Sequence, residues 1–208
     1  MFPHRKLLLF LLMTTMLLAG CGGLQQPAPK IEYYNLEYDS PVMPVVAAKL
    51  PVVLRVEGFS ASPMLQTNRI AYRDKKYSNK LYFYHRWRST PAELVTHYLT
   101  RDLQQSGLFE AVSTPLGSLL PTHTLEGTVN KFMEWDDSNG WQAVIALHVS
   151  LIDVRESKVI SQQDFTSAKP CKGRTPREVA AAMSQAMGDI STQIATHAHQ
   201  AITSREIQ

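Results

Sequence analysis

From His123 to Thr166 the chain alternates apolar and polar residues in three successive runs. A chain with that pattern must build a sheet with one buried face, because side chains on a strand point to opposite sides with a period of two. In His123–Trp135 the residues Leu125, Gly127 and Val129 share a face, and the phase then shifts at Phe132. One extra residue near Asn130 would produce that shift, so a β-bulge is expected there. Asp136–Gly140 (DDSNG) reads as a hairpin loop, its paired aspartates serving turn chemistry beside Asn-Gly. Trp141–Val154 alternates through Ala143, Ile145, Leu147, Val149 and Leu151, and Val159–Thr166 returns after a turn at Arg155–Lys158. Together these runs predict an antiparallel meander.

Shorter strands are expected upstream. Tyr33–Leu36 reads as an edge strand, and Val52–Phe59 (VVLRVEGF) sends Leu54 and Val56 to one face. Arg69–Arg73 alternates again, Lys75-Lys76 opens a turn, and Leu81–Trp87 (LYFYHRW) is rich in the aromatics that fit a pleated surface. Two helices announce themselves with the same signal. Thr90-Pro91-Ala92-Glu93 supplies a cap, a proline tolerated at the first helical position and the acid of a capping box. Leu94, Val95, Tyr98, Leu99 and Leu103 follow as one apolar stripe, and Gly107 is suited to end the helix. Thr175-Pro176-Arg177-Glu178 repeats the start, with Val179, Met183, Ala186, Met187, Ile190, Ile194 and Ala198 as the buried stripe. These strands and helices predict an α+β chain.

A tether is read from the N-terminus. His4-Arg5-Lys6 precedes an uncharged apolar run from Leu7 to Leu17, and Leu18-Ala19-Gly20-Cys21 closes it. Basic, apolar and small-residue regions in that order make a secretory signal, and the run is shorter than the roughly 20 residues a membrane span needs. Leu-Ala-Gly-Cys is similar to a bacterial lipobox, which would make residues 1–20 the signal peptide and Cys21 the acylated first residue. Acyl chains add about 0.8 kcal/mol per buried methylene, so several of them anchor permanently. Residues 21–31 then form the anchor and a flexible tether, and residues 32–208 the domain. Gly22 after the cysteine, in place of aspartate, points to the outer membrane, with the domain facing the periplasm.

Cleavage would remove Arg5 and Lys6 from 21 basic residues and nothing from 18 acidic ones, leaving the chain near neutrality. Bulk charge therefore gives no case for nucleic acid. Cys171 would be the one cysteine beyond the anchor and cannot form an internal disulfide. Enzymatic signatures fail one by one. Gly58-Phe59-Ser60-Ala61-Ser62 lacks the closing glycine of a nucleophile elbow. His197 and His199 are two apart on a helix, the wrong spacing for a zinc pair, and read as a solvated helix end. No phosphate-binding glycine loop occurs. The expectation is a chain that is not an enzyme and carries no catalytic residue, metal or cofactor. One cluster stands out: Arg69, Arg73, Lys75, Lys76, Lys80, Arg86 and Arg88, interleaved with Tyr72, Tyr77, Tyr82, Tyr84 and Trp87, with Asp74 the sole acid. In an exported protein this suggests contact with an anionic headgroup or an acidic partner, through Arg69, Arg73, Lys75, Lys76, Tyr84 and Arg86.

An ordered series of residues carries a resemblance. It runs through Tyr33-x-x-Leu36, Leu54-x-Val56-x-x-Phe59, Arg69-Ile70-x-Tyr72-Arg73, Tyr77 and Trp87-x-x-x-Pro91, then Gly107-x-Phe109-x-x-Val112, Leu125-x-Gly127-x-Val129-x-x-Phe132, Leu151-x-Asp153 and Val159-Ile160. This series resembles the ABC-type transport auxiliary lipoproteins. The resemblance implies a membrane-anchored accessory subunit that docks the MCE-domain protein of an ABC-type system moving lipids or other hydrophobic molecules between inner and outer membranes. It implies the fold class α+β, an antiparallel β-sheet with two main helices packed on one face, a single domain after a lipidated tether, and it implies no catalytic residues. Docking to a symmetric ring would favour a matching homo-oligomer. The alternative is a lipid-binding carrier that itself encloses hydrophobic cargo, with Met183 and Met187 as an adaptable wall.

Overall fold

The structure is a computed structural model that describes residues 29–43, 46, 48–137 and 140–206. The expected signal peptide, Cys21 and most of the tether lie outside the described residues. Residues 31–208 make one compact unit.

The elements in chain order are β1 (Glu32–Tyr34), β2 (Leu50–Val56), β3 (Ser60–Ala61), a single 3-10 turn at Pro63–Leu65, β4 (Arg69–Lys75), β5 (Ser78–Trp87), α1 (Pro91–Gln105), β6 (Phe109–Ser113), β7 (His123–Asp137), β8 (Gly140–Asp153), β9 (Lys158–Pro170) and α2 (Pro176–Glu206). The described strands form one nine-stranded sheet organised on β7. One edge of β7 carries β8 along its whole length. The other edge is divided among β2 near His123, β3 near Thr128 and β4 near Met133. Beyond β2 lies β6, beyond β4 lie β5 and β1, and beyond β8 lies β9.

The meander β7–β8–β9 is antiparallel as expected. The phase shift at Phe132 is a bulge: pairing passes from Val129↔Leu147 to Lys131↔Ala146 and leaves Asn130 out. The hairpin after β7 is tighter than DDSNG suggested, since Asp136 and Asp137 still pair with Trp141 and Gly140. Gly140 takes a φ of 98°, which glycine tolerates best. The sheet as a whole is mixed rather than antiparallel, because β2, β3 and β4 all run parallel to β7, β6 runs parallel to β2 and β1 parallel to β5. Alternation marks a half-buried strand but carries no direction. Direction is set by the connections: the tight hairpins give antiparallel pairs, and longer returns bring strands back parallel.

Both helices cover one face of this sheet. α1 lies against β2, β6 and β7, α2 lies against β8 and β9, and the two helices touch. Thr90 Oγ1 accepts from the Glu93 N–H and the Glu93 carboxylate accepts from the Thr90 N–H at 2.9 Å, completing the capping box. Gly107 follows with a φ of 68°. Leu125, Val129, Phe132, Ile145, Leu147 and Leu151 from the sheet share one buried cluster with Leu94, Leu99, Ile190 and Ile194 from the helices. Met183 and Met187 are wholly buried in the same cluster, so they fill the core. Gly127 is there for proximity: a Cβ on it would stand 2.6 Å from the Phe59 ring.

The segment after β1 is clamped onto α1. Tyr98 Oη donates to the Leu36 carbonyl. Buried Asp102 accepts from Tyr38 Oη and Ser40 Oγ, each at 2.7 Å. Arg101 packs over the Tyr38 ring at 4.4 Å and the Tyr98 ring at 4.8 Å. His197, expected at a solvated helix end, instead sits inside α2, which continues to Glu206. It contacts Ser161 Oγ at 2.9 Å and the Phe165 ring, and burial lowers its pKa.

Candidate functional site: the basic aromatic hairpin

β4 and β5 bring the whole basic cluster onto one hairpin, but its members do different jobs. Pairing moves from Arg69↔Arg86 to Ala71↔Leu81, a slip that leaves part of β5 without ladder partners on β4. Arg69 fills the gap. Its Nε donates to the Tyr82 carbonyl at 2.7 Å and its Nη2 to the Leu81 carbonyl at 3.0 Å, while its guanidinium lies 5.5 Å from the Phe83 ring. Arg69 is therefore committed to holding β5 in place. The same slip corrects the expected faces of β5. Strict alternation along Leu81–Trp87 would put Phe83 on the packed side with Trp87, yet Phe83 is 65% exposed and Trp87 is fully buried, because the irregularity between them breaks the alternation.

The half-buried Trp135 ring attracts two cations. Arg73 reaches it from β4 at 4.0 Å and Lys131 from β7 at 4.7 Å. The ring quadrupole attracts both. Lys75 and Ser78 close the hairpin around Lys76-Tyr77, with Tyr77 at a φ of 67°. Lys75, Lys76 and Tyr77 are exposed at this tip, and Lys76 Nζ is 5.0 Å from the Tyr77 ring. Lys80 pairs with Asp74 at 2.7 Å and holds that carboxyl below its usual range. Tyr84 is exposed, and Arg86 is half-buried with its Nε buried and unbonded among the described residues. The structure thus joins Lys75, Lys76, Tyr84 and Arg86 on an accessible strand pair, keeps Arg73 against Trp135, and engages Arg69 with the carbonyls of β5.

Beneath the hairpin is a polar knot that sequence reasoning missed. Buried Glu134 accepts from Tyr82 Oη at 3.0 Å and from Trp141 Nε1. Burial raises its pKa, and the two hydrogen bonds oppose that only in part. Tyr72 stacks on Tyr82 with centroids 4.6 Å apart. The signal for Glu134 was the bulge: after it, Glu134 shares the core face with Phe132. Cys171 is half-buried nearby, its thiol pushed up to about 11 mainly by burial. Also missed was the loop between β6 and β7, where Leu116 and Leu120 are exposed. Among the described residues no group of His, Cys, Asp or Glu is placed to hold a metal ion, and no helix is long and apolar enough to cross a membrane.

The fold is similar to that of a Xanthomonas campestris protein of the DUF330 family. The two share 21% identity over 85% of this chain and 99% of that one, with a TM-score of 0.77. A second crystal structure, of an uncharacterised protein, is 18% identical over 81% of this chain and 98% of its own, with a TM-score of 0.64. None of the curated proteins matches the sequence. The sequence profile of the ABC-type transport auxiliary lipoprotein component matches residues 34–195, a range that begins in β1 and ends within α2. The chain therefore belongs to the ABC-type transport auxiliary lipoprotein family.

Proposed function

We propose that this chain is a non-enzymatic docking subunit of an MCE-type ABC transport system, held in the outer membrane by acylated Cys21 with its domain in the periplasm. Family membership carries the reading, since an auxiliary component acts through a transporter. The hairpin supplies a contact surface for it. Tyr and Arg are favoured at interface centres, which suits Tyr84 and Arg86 as anchors. Lys75 and Lys76 at the tip suit the steering of an acidic partner, whose encounter they would speed without holding the complex.

Two experiments test the reading separately. Palmitate labelling in cells should mark the wild type and spare Cys21→Ser, and equal labelling would remove the anchor. Surface-plasmon kinetics against the MCE-domain partner test the docking role, with failure of the wild type to bind that partner as the contrary result. Sedimentation of the lipoprotein with and without the partner tests the matching homo-oligomer, which a monomer in both conditions would exclude.

A further inference from the structure

The loop between β6 and β7 reads Thr-Pro-Leu-Gly-Ser-Leu-Leu-Pro-Thr over residues 114–122. Leu116 is 100% exposed, Leu120 87% and Leu119 47%. These leucines are held out on a structured loop. Gly117 N–H donates to the Thr114 carbonyl at 2.9 Å, and Arg55 Nη2 donates to the Leu119 carbonyl at 2.7 Å. Thr122 N–H donates to the Val53 carbonyl at 3.0 Å and Thr122 Oγ1 accepts from the Val53 N–H at 3.0 Å. Pro115 and Pro121 restrict the backbone further.

The β8–β9 turn lies against the base of this loop, where Val154 N–H donates to the Thr122 carbonyl at 2.9 Å. Val154 and Val159 are exposed there, and Arg155 and Lys158 stand between them. The acids of the turn are already engaged: Asp153 accepts from the Arg155 and Glu156 N–H groups, and Glu156 pairs with Arg205 at 2.5 Å. A recess of about 350 Å³ lies alongside, with Thr122, Asp153, Arg155, Glu156 and Arg205 on its wall. One end of the sheet thus presents protruding aliphatic side chains, with exposed Arg155 and Lys158 on the adjoining turn. The hairpin tip, at the other end, presents cations and aromatic rings.

We infer that the loop Thr114–Pro121, with the Val154–Val159 turn beside it, enters the headgroup–acyl boundary of a phospholipid bilayer. Leucines at the crest of a loop have no groove around them for a partner's side chains, whereas a bilayer receives a convex apolar tip and places Lys and Arg among its phosphates. The inference rests on the reading of the chain as a membrane-anchored lipoprotein. Ten residues separate Cys21 from Glu32, a reach of about 36 Å when extended. β1 joins the sheet at the register of Arg86 and Arg69, and the strand distance from there to His123 is about 25 Å. That length lets anchor and loop address the same bilayer.

The test uses the full lipidated chain in phosphatidylethanolamine vesicles containing phosphatidylglycerol, with a fraction of the lipid brominated in its acyl chains. Leu116→Trp and Leu120→Trp report from the loop, Tyr77→Trp reports from the opposite hairpin tip, and the wild type supplies the background of the native tryptophans. These are exposed positions, and melting curves verify that each variant folds. The expected result is a blue-shifted added emission at 116 and 120, quenched several-fold more than that at 77. Added emission at 116 and 120 that matches position 77 on vesicle-bound protein overturns the inference. So does shielding of 116 and 120 that appears only when the MCE-domain partner is added, because the loop is then a protein contact. Failure of the anchor reading shows differently, as wild-type protein that does not stay with the vesicles.

Discussion

The two ends of the sheet solve the problem of exposed surface in opposite ways. At the β4–β5 hairpin, charge is dense but largely spoken for: Arg69 is spent on the carbonyls of a strand irregularity, Arg73 and Lys131 on Trp135, and Lys80 on Asp74. At the β6–β7 loop the backbone is well bonded while the side chains of Leu116 and Leu120 touch little but solvent. Charge density in a sequence therefore overstates how much of a segment is available for a partner. A loop with no periodic pattern can hold the more costly exposure. Scattered single leucines at a surface are ordinary, but three on one short loop call for an explanation.

The largest expected effect separates structural from available residues on the hairpin. Arg69→Ala should cost about 2 kcal/mol in urea unfolding, since its charged hydrogen bonds hold the Tyr82 and Leu81 carbonyls at the slip in β5. Leu116→Ser combined with Leu120→Ser should change stability by no more than about 0.5 kcal/mol, as surface substitutions usually do. If the leucine pair proves the more destabilising, the contrast between the two ends fails.

Next in size is a kinetic contrast within the hairpin. Lys75→Glu with Lys76→Glu should slow association with the proposed MCE-domain partner about tenfold at low salt and weaken its salt dependence. Tyr84→Ala with Arg86→Ala should leave association nearly unchanged and speed dissociation. Surface-plasmon traces read both, and wild-type kinetics in both double variants would place the docking site elsewhere.

The smallest effect concerns Glu134 beneath the hairpin. Its folded pKa is raised above the ordinary value of 4.5, chiefly by burial. The folded state therefore holds this proton more tightly than the unfolded chain does. Its contribution is fully present below pH 4.5 and is lost as pH rises through the raised value. Glu134→Gln keeps an acceptor oxygen for Trp141 Nε1 and can turn its amide N–H to Tyr82 Oη, but cannot ionise. Melting temperatures across that acid window should fall less with rising pH in Glu134→Gln than in the wild type, by a few degrees at most. Parallel curves would mean that folding does not shift the Glu134 pKa.

How much of this was legible in the sequence depended on whether a local rule governed it. The Thr90–Glu93 capping box and the bulge at Asn130 could be read because spacing alone determines them. Parallel pairing around β7 could not, since alternation is the same for either direction. The exposure of Phe83 was hidden because the slip in β5 depends on Arg69, seventeen residues before Arg86, satisfying the freed carbonyls. The cluster from Arg69 to Arg88 was visible as composition, but which of its members remain available became clear only from their partners. The apolar loop passed unseen because Pro, Gly and Ser mark it as a connection, and no periodicity drew attention to its leucines.

Hydrogen–deuterium exchange on the lipidated protein tests the division of labour most directly, measured free in detergent, in vesicles, and in vesicles with the MCE-domain partner. The account predicts that vesicles slow exchange across residues 114–122 and 154–159, and that adding the partner slows it across residues 72–86 without further change in the loop. Protection of both regions by the same addition would contradict it, as would protection of the loop only by the partner.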